Sequence, residues 1–212
     1  MIRTLVLDFD GTLADSRSCI VATIQDTLRH IGLPPVAPES IVACIGLPLD
    51  VTFIRVAGIS GIHLKEACRY YLKRFDELCP DMVTLFPGVA DTLARLHKSG
   101  IGLTIASNRG DASLNMLLHQ LGIAHLFQMI CGAETTARKK PEPDIALHIL
   151  SATGTPAAET LVMGDTSFDI AMGRGAGCPT CGVTYGNQTR AELADAGADH
   201  VIDAFNDLIT LI

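Results

Sequence analysis

The chain has 212 residues, enough to bury one substantial hydrophobic core, or a core that carries a smaller insert. Apolar residues make up 48% of the sequence and charged residues 18%, which excludes an intrinsically disordered chain. The formal net charge is −7, and there is no run of Lys or Arg that would track a nucleic-acid backbone. We therefore expect no nucleic-acid polymer as a partner, and an anionic ligand would need a metal ion or a local cationic pocket.

The sequence predicts neither a secretory leader nor a membrane span. It begins Met-Ile-Arg-Thr and continues directly into an apolar strand pattern, without a leader and cleavage site. No apolar run approaches the ~18 to 20 residues that a membrane span requires. The seven cysteines are an odd number, which is typical of free thiols in a reducing compartment. We expect a cytoplasmic protein without a membrane partner.

Cys178 and Cys181 are spaced like a redox pair or half of a zinc site. No second Cys or His pair follows at a suitable spacing, and the two cysteines precede a predicted strand instead of opening a helix. We interpret them as ordinary small residues, and a redox role stays open.

The apolar periodicity predicts helices and strands that alternate, with one interruption. A first strand at 4–7 stops at Asp8. Only helices follow it, predicted at 19–31, 38–46, 49–57 and 64–78, with Cys79-Pro80-Asp81 breaking the last one. Alternation then begins: strands are predicted at 101–106, 127–131, 161–163, 181–184 and 200–202, with helices ending at 99–100 and covering 114–121, 145–150, 170–176 and the segment from Phe205. The run Gly173-Arg174-Gly175-Ala176-Gly177 is predicted to fray its helix.

Strands that alternate with helices are typical of an α/β fold with a doubly wound parallel sheet. We predict an α/β core formed by residues 1–14 and 83–212. Residues 15–82 are predicted to form a small all-helical domain, inserted after the first strand. The oligomeric state is not predicted by the sequence.

Polar side chains follow three of the predicted strands, where open parallel sheets bind their ligands. Asp8-Phe9-Asp10-Gly11-Thr12 follows the first strand, and Ser107-Asn108 follows the second. Gly164-Asp165 follows the strand at 161–163, with Asp169 one turn later. Carboxylates and a hydroxyl at neighbouring strand ends are the groups that hold a hard divalent cation and a phosphate.

Four segments in this order resemble the signatures of the haloacid dehalogenase superfamily in its phosphatase form. They are Leu5–Leu13, Ser107-Asn108, Lys140-Pro141 and Gly164–Asp169. The resemblance covers nearly the whole chain and is closest to the phosphoglycolate phosphatase-like branch, whose helical cap is inserted between the first two signatures. It implies a haloacid dehalogenase-like fold and a phosphoric monoester hydrolase that acts on a small phosphorylated metabolite.

The resemblance also implies a role for each matching residue. Asp8 is the expected nucleophile, which forms an aspartyl-phosphate, and Asp10 is the expected general acid and base. The residues expected to bind the phosphoryl group are Thr12, Ser107, Asn108 and Lys140. Mg²⁺ is the expected cofactor, with Asp8, the Asp10 backbone carbonyl and Asp165 as ligands; Asp169 is a further ligand or supports the others.

Several substrates stay open. Phosphoglycolate is the substrate that the resemblance implies, but pyrophosphate, nucleoside monophosphates and sugar phosphates suit the same core.

The segment Gly46-Leu47-Pro48-Leu49 resembles a substrate-facing loop, although a plain turn explains it equally well. Arg17 either reaches a substrate carboxylate or is solvated.

Other branches of the superfamily fit the residues less well. A sugar-phosphate mutase relies on a cap His where this chain has Ile20, while dehalogenases and phosphonatases lack a counterpart of Asp10. A non-catalytic phosphate-binding module remains the alternative from a different class, and the retained Asp8, Asp10, Lys140 and Asp165 speak against it.

Overall fold

The computed structural model describes all residues from 1 to 212. Its strands are β1 (Thr4–Leu7), β2 (Ala14–Asp15), β3 (Thr84–Leu85), β4 (Gly102–Ala106), β5 (Met129–Cys131), β6 (Thr160–Gly164), β7 (Thr180–Val183) and β8 (His200–Ile202). Six of them form one parallel sheet in the order β5-β4-β1-β6-β7-β8. The chain thus builds the sheet outward on both sides of β1, which confirms the predicted doubly wound α/β core.

Nine α-helices accompany these strands. They are α1 (Arg17–His30), α2 (Pro38–Val42), α3 (Leu49–Ala57), α4 (Gly61–Met82), α5 (Val89–Lys98), α6 (Asp111–Gln120), α7 (Asp144–Thr153), α8 (Ser167–Gly175) and α9 (Arg190–Asp195). Short 3₁₀ helices lie at Ala124–Leu126, Ala157–Glu159 and Phe205–Leu211. None of the helices combines the length and apolar character that crossing a membrane requires.

Helices α1 to α4 form a helical insert, residues 17–82, between β2 and β3. These two short strands pair antiparallel, with Ala14 opposite Leu85 and Asp15 opposite Thr84, so both ends of the insert leave the core side by side. Phe53 and Phe75 of the insert belong to the same buried cluster as Leu5 of β1. The insert is therefore packed directly against the core, and its treatment as a separate domain stays a prediction.

Two helices of the insert end away from their predicted positions; in the core, the predicted helix from Phe205 is a 3₁₀ helix, and α9 was not predicted. Helix α4 continues through Pro80 to Met82, although we expected the proline to end it. Pro80 has no N–H to donate to the Asp76 carbonyl, and this carbonyl instead accepts a hydrogen bond from the Cys79 thiol at 3.8 Å. The backbone amide of Val83 still donates to the Cys79 carbonyl. Helix α2 ends at Val42 instead of residue 46, and tight turns lead from there to Gly46, whose φ is +94°.

The glycine-rich end of α8 shows why glycine is tolerated there. The helix stays regular through Gly173 and ends at Gly175, before Gly177 with its φ of +77°. A Cβ atom on Gly173 would lie 2.6 Å from Thr180 Cγ2 and 2.8 Å from Val162 Cβ. The absence of a side chain thus allows α8 to pack closely on β6 and β7, and α8 carries Asp169 in its first turn.

Candidate active site

The site lies where the strand order reverses, at the carboxyl end of β1. Leu7, the last residue of β1, pairs with Ile105 of β4 on one side and with Met163 of β6 on the other. Asp8 follows immediately, and its amide donates to the Met163 carbonyl at 2.9 Å. Because parallel strands end at the same edge of a sheet, the residues after β1, β4 and β6 meet there.

Three carboxylates and one ammonium group are buried together at this edge. The carboxylate oxygens of Asp8, Asp165 and Asp169 lie within 4.8 Å of one another. Lys140 Nζ lies 2.5 Å from Asp8 Oδ1 and 2.7 Å from Asp169 Oδ1. All four residues are at most 4% exposed to solvent. With every carboxyl ionised, three negative charges face one positive charge, which leaves an excess of two negative charges.

Burial and this excess charge together shift the pKa values of the cluster. Burial raises the pKa of Asp8 well above its usual range, against the opposing charge of Lys140, and Asp169 and Asp165 add to the rise. Burial and the nearby charge of Asp169 raise the pKa of Asp165 to about 7, although hydrogen bonds from Asn187 oppose this. Burial alone would lower the pKa of Lys140, but Asp169 and Asp8 outweigh it and raise that pKa. The cluster therefore favours an additional positive charge.

The donor set suits a hard divalent cation. Mg²⁺ prefers carboxylate and carbonyl oxygens and takes only one or two protein carboxylates, which Asp8 and Asp165 can provide. Two glycines allow the backbone to close around Asp165: a Cβ on Gly11 would lie 2.2 Å from Asp165 Oδ2, and one on Gly186 would lie 2.3 Å from Asp165 Cβ. The residues present thus fit a Mg²⁺ site.

Asp165 is held by residues that sequence reasoning assigned differently or missed. Asn187 donates to Asp165 Oδ2 from its backbone amide and from its side chain, both at 2.7 Å. The Thr12 hydroxyl donates to Asp165 Oδ1 at 3.3 Å instead of standing free for phosphate. Arg17 is exposed and donates to Asn187 Oδ1 at 3.1 Å and to the Gly186 carbonyl, and a contact of Arg17 with a substrate carboxylate stays a prediction. Asn187 lies in the loop after β7, and its position beyond a strand end was the signal that we missed.

Asp169 fixes the position of the Lys140 side chain. Asp169 Oδ2 accepts from the Thr166 amide at 3.1 Å and from the Thr166 hydroxyl at 2.7 Å, closing the N-terminus of α8. Asp169 Oδ1 accepts from Lys140 Nζ. Because both oxygens of Asp169 are engaged, this carboxylate aims the Lys140 ammonium at Asp8.

Asp10 lies beside the cluster and has different partners. The Ser16 hydroxyl donates to Asp10 Oδ1 at 2.5 Å. Arg109 binds both oxygens of the carboxylate, from Nη2 at 2.7 Å and from Nε at 2.9 Å. The Arg109 guanidinium also lies 4.2 Å from the ring centroid of Phe75 on α4. Sequence reasoning missed Arg109, although it stands directly after Ser107-Asn108.

The loop after β4 connects the core to the helical insert. The Asn108 amide group donates to the Gly46 carbonyl at 2.8 Å and to the Lys140 carbonyl at 3.1 Å, while its oxygen accepts from the Lys140 amide. The side chain of Asn108 is therefore committed to structure. The Ser107 hydroxyl accepts from the Arg109 amide at 3.2 Å and keeps its own O–H for a ligand.

A cavity of about 90 Å³ lies between the edge of the sheet and the helical insert. Asp8 and Asp10 lie on its floor, together with Ser107. Gly46, Leu47 and Leu49 lie in its wall, so the loop that resembles a substrate-facing loop does border this cavity.

Comparison with known proteins identifies the family. Residues 5–183 match the family model of the haloacid dehalogenase-like hydrolases. The protein named probable phosphatase IndB of Dickeya dadantii (strain 3937) is 34% identical, and the match covers 97% of this chain and 91% of that protein. The phosphoglycolate phosphatase of Salmonella typhimurium is 32% identical, with 98% of this chain and 91% of that protein covered.

Solved structures agree with this relationship. A predicted phosphoglycolate phosphatase from Haemophilus somnus 129PT superposes with a TM-score of 0.93 at 25% identity, over 99% of this chain and 97% of that one. A haloacid dehalogenase-like family hydrolase from Streptococcus pneumoniae gives a TM-score of 0.86 at 26% identity, over 99% of this chain and 97% of that one. The resemblance read from the sequence is thus confirmed. The chain belongs to the haloacid dehalogenase-like hydrolase family, and its relatives place it among the phosphatases of that family.

Proposed function

We propose that this enzyme is a Mg²⁺-dependent phosphatase that hydrolyses a small phosphorylated metabolite by way of a phosphoryl group carried on Asp8. One observation carries the proposal: Asp8 and Asp165 lie in a buried carboxylate cluster at the end of β1, with Lys140 Nζ 2.5 Å from Asp8. Such a site offers a nucleophile, a cation site and a fixed positive charge within one small volume.

Asp8 and Asp165 would hold Mg²⁺ through their carboxylates, and Asp10 through its backbone carbonyl. Asp169 supports this set through Lys140 or adds a ligand of its own. When bound, the ion neutralises negative charge on the transferring phosphoryl group and reduces its repulsion by Asp8.

The chain's own residues divide the two half-reactions. An Asp8 oxygen attacks phosphorus, and the bond to the ester oxygen breaks with its electron pair leaving on that oxygen, which Asp10 protonates. Asp10 then takes a proton from a water molecule that attacks the phosphorus of the aspartyl-phosphate. Inorganic phosphate leaves and the Asp8 carboxylate is restored. Ser16 and Arg109 keep the Asp10 carboxylate in one orientation throughout.

Of the four residues expected to bind phosphoryl oxygens, two have side chains that can still donate to them and two have side chains that are occupied. Lys140 Nζ and the Ser107 hydroxyl lie at the site and supply positive charge and a donor. The side chains of Thr12 and Asn108 are bound elsewhere, so Asn108 would act through its backbone N–H. The Thr12 N–H already donates to the Phe9 carbonyl at 3.4 Å, and Thr12 would bind a phosphoryl oxygen only by exchanging this long hydrogen bond.

The helical insert and the two residues before it, 15–82 in total, would act as a cap domain that closes over the substrate. The phosphoglycolate phosphatases among the relatives support a small metabolite as substrate, as does the volume of about 90 Å³. Pyrophosphate, nucleoside monophosphates, sugar phosphates, a mutase reaction and a phosphate-binding module are the alternatives. We propose a cytoplasmic location on the basis of the free cysteines.

Replacing Asp8 by Asn tests the proposed nucleophile. Phosphate release from a panel of phosphoglycolate, pyrophosphate, nucleoside monophosphates, sugar phosphates and an aryl phosphate should require Mg²⁺. Release should fall by about 10³-fold or more in Asp8→Asn, because an amide cannot attack phosphorus. Asp15→Asn, an exposed position outside the cluster, is the matched control and should leave the rate unchanged. Full activity of Asp8→Asn, or a folded wild type that hydrolyses nothing, would contradict the proposal; the second result would favour the binding module.

Asn187 should affect the metal without touching the substrate. Because it donates two hydrogen bonds to Asp165, Asn187→Ala should raise the Mg²⁺ concentration for half-maximal activity by about 10- to 100-fold. At saturating Mg²⁺ most of the rate should return. Asn206→Ala makes the same change at an exposed residue and should have no effect. An unchanged Mg²⁺ requirement in Asn187→Ala would show that Asn187 does not position a metal ligand.

The raised pKa of Asp165, about 7, predicts a pH-dependent response to Mg²⁺. In the metal-free protein the folded state holds this proton more tightly than the unfolded state, so stability falls as pH rises toward and through 7. Mg²⁺ requires the ionised form, and its stabilising effect should therefore grow over the same range. Thermal unfolding should show a larger Mg²⁺-induced rise in Tm at about pH 8 than at about pH 5.5, and the difference should shrink in Asp165→Asn. Equal Tm shifts at both pH values would contradict this reading.

A further inference from the structure

The cavity above Asp8 has an apolar wall. Its volume is about 90 Å³, and of the 19 residues that line it 10 are hydrophobic. The helical insert contributes most of this wall, including Ile20, Ile24, Ile41, Ile45, Leu49 and Phe75. No residue of the insert that lines the cavity is charged, and none carries an amide or imidazole group. The part of a substrate that leaves Asp8 and enters this space thus meets mostly hydrocarbon, and the insert's only polar side chains there are Cys44, Thr52 and Tyr71.

Arg109 is the only cation in the lining, and three of its five N–H groups are already in use. Nε and Nη2 bind the two oxygens of Asp10, Nη1 donates to the Ser113 hydroxyl at 3.1 Å, and one face of the guanidinium lies against Phe75. A carboxylate on the leaving group would have to compete with Asp10 for this cation. Asp8 and Asp10 also line the cavity and would repel it.

Two of the neutral polar side chains around the cavity, Asn108 and Thr52, are likewise engaged, whereas the hydroxyls of Ser107 and Tyr71 donate to no protein group. Both N–H groups of the Asn108 side chain reach backbone carbonyls, and its oxygen accepts the Lys140 amide. The Thr52 hydroxyl donates to the Pro48 carbonyl at 3.1 Å. A leaving group with several hydroxyl or carboxylate groups would lose more hydrogen bonds to water there than the Tyr71 hydroxyl and the two remaining N–H groups of Arg109 could replace.

We propose that the preferred substrate is a phosphate monoester of a small uncharged apolar alcohol, rather than one that carries a carboxylate. This inference rests on the proposed phosphoryl transfer at Asp8. An apolar cavity of ~150 Å³ holds benzene, so the smaller space here, part of which the phosphoryl group at Asp8 occupies, limits the alkyl group to about four carbons at most. Each methylene that becomes buried should raise kcat/KM about fourfold.

A matched pair of esters tests this directly. Isobutyl phosphate and phosphoglycolate have nearly the same shape, since a CH(CH₃)₂ group in one replaces the carboxylate of the other. Glycolate is the better leaving group, so any preference for isobutyl phosphate must come from the cavity. With Mg²⁺ we expect kcat/KM for isobutyl phosphate to exceed that for phosphoglycolate by about tenfold or more.

Substitutions in the wall should invert the preference. Leu49→Lys places a cation in the cavity and should shift the ratio toward phosphoglycolate by about tenfold, whereas the apolar Leu49→Met should keep the wild-type ratio. Leu72→Lys is a second variant for the same purpose, because Leu72 is 47% exposed and its replacement should not disturb folding.

The outcomes separate this inference from the proposed function. Equal values of kcat/KM, or a preference for phosphoglycolate in the wild type, would overturn the inference and leave the phosphatase mechanism intact. Failure to release phosphate from these two esters and from every ester of the panel described above, in folded protein with Mg²⁺, would defeat the proposed function and this inference with it.

Discussion

Three carboxylates are buried around one ammonium group at the end of β1, and the rest of the site depends on how this charge is accommodated. Asp8, Asp165 and Asp169 would repel one another strongly in an environment of low dielectric constant. Lys140 offsets part of the repulsion, and hydrogen bonds from the N–H groups of Asn187 and Thr166 offset a further part. The remaining charge makes the cluster receptive to a divalent cation, which links folding of this edge to metal binding.

Much of the site could be predicted because a parallel sheet brings distant sequence positions to one edge. Asp8, Ser107 and Asp165 each follow a strand that apolar patterning reveals, and the register of β1 with β4 and β6 places them side by side. Lys140 follows no strand and was predicted only from its resemblance to a family signature. The structure shows its position: the Lys140 amide binds Asn108 and its ammonium binds Asp8.

The residues that sequence reasoning missed act through tertiary contacts that have no local pattern. Arg109 reaches Asp10 across 99 positions of sequence, and Asn187 reaches Asp165 across 22. A lone Arg or Asn in a loop is usually solvated, so neither residue type nor spacing distinguished these positions. The prediction that Pro80 ends its helix was wrong for a related reason. The Cys79 thiol donates a hydrogen bond to the Asp76 carbonyl, for which Pro80 has no N–H.

The contact of Arg109 with Phe75 joins the chemistry to the helical insert. One guanidinium holds Asp10, which lies beside the reacting phosphorus in the proposed mechanism, and also packs on α4. Asn108 makes a parallel link, from the Lys140 backbone to Gly46. These contacts connect the helical insert to the reacting groups through the loop after β4, so in the proposed mechanism a closure of the insert would be coupled to their alignment.

The covalent phosphoryl group on Asp8 is the central claim, and acid quenching during turnover tests it most directly. The enzyme would be quenched while it hydrolyses its best ester with Mg²⁺, digested, and its peptides examined by mass spectrometry. The account predicts a phosphoryl group on the peptide that contains Asp8, and none in the Asp8→Asn variant. Active enzyme that carries no phosphoryl group, or carries it on another residue, would contradict the account.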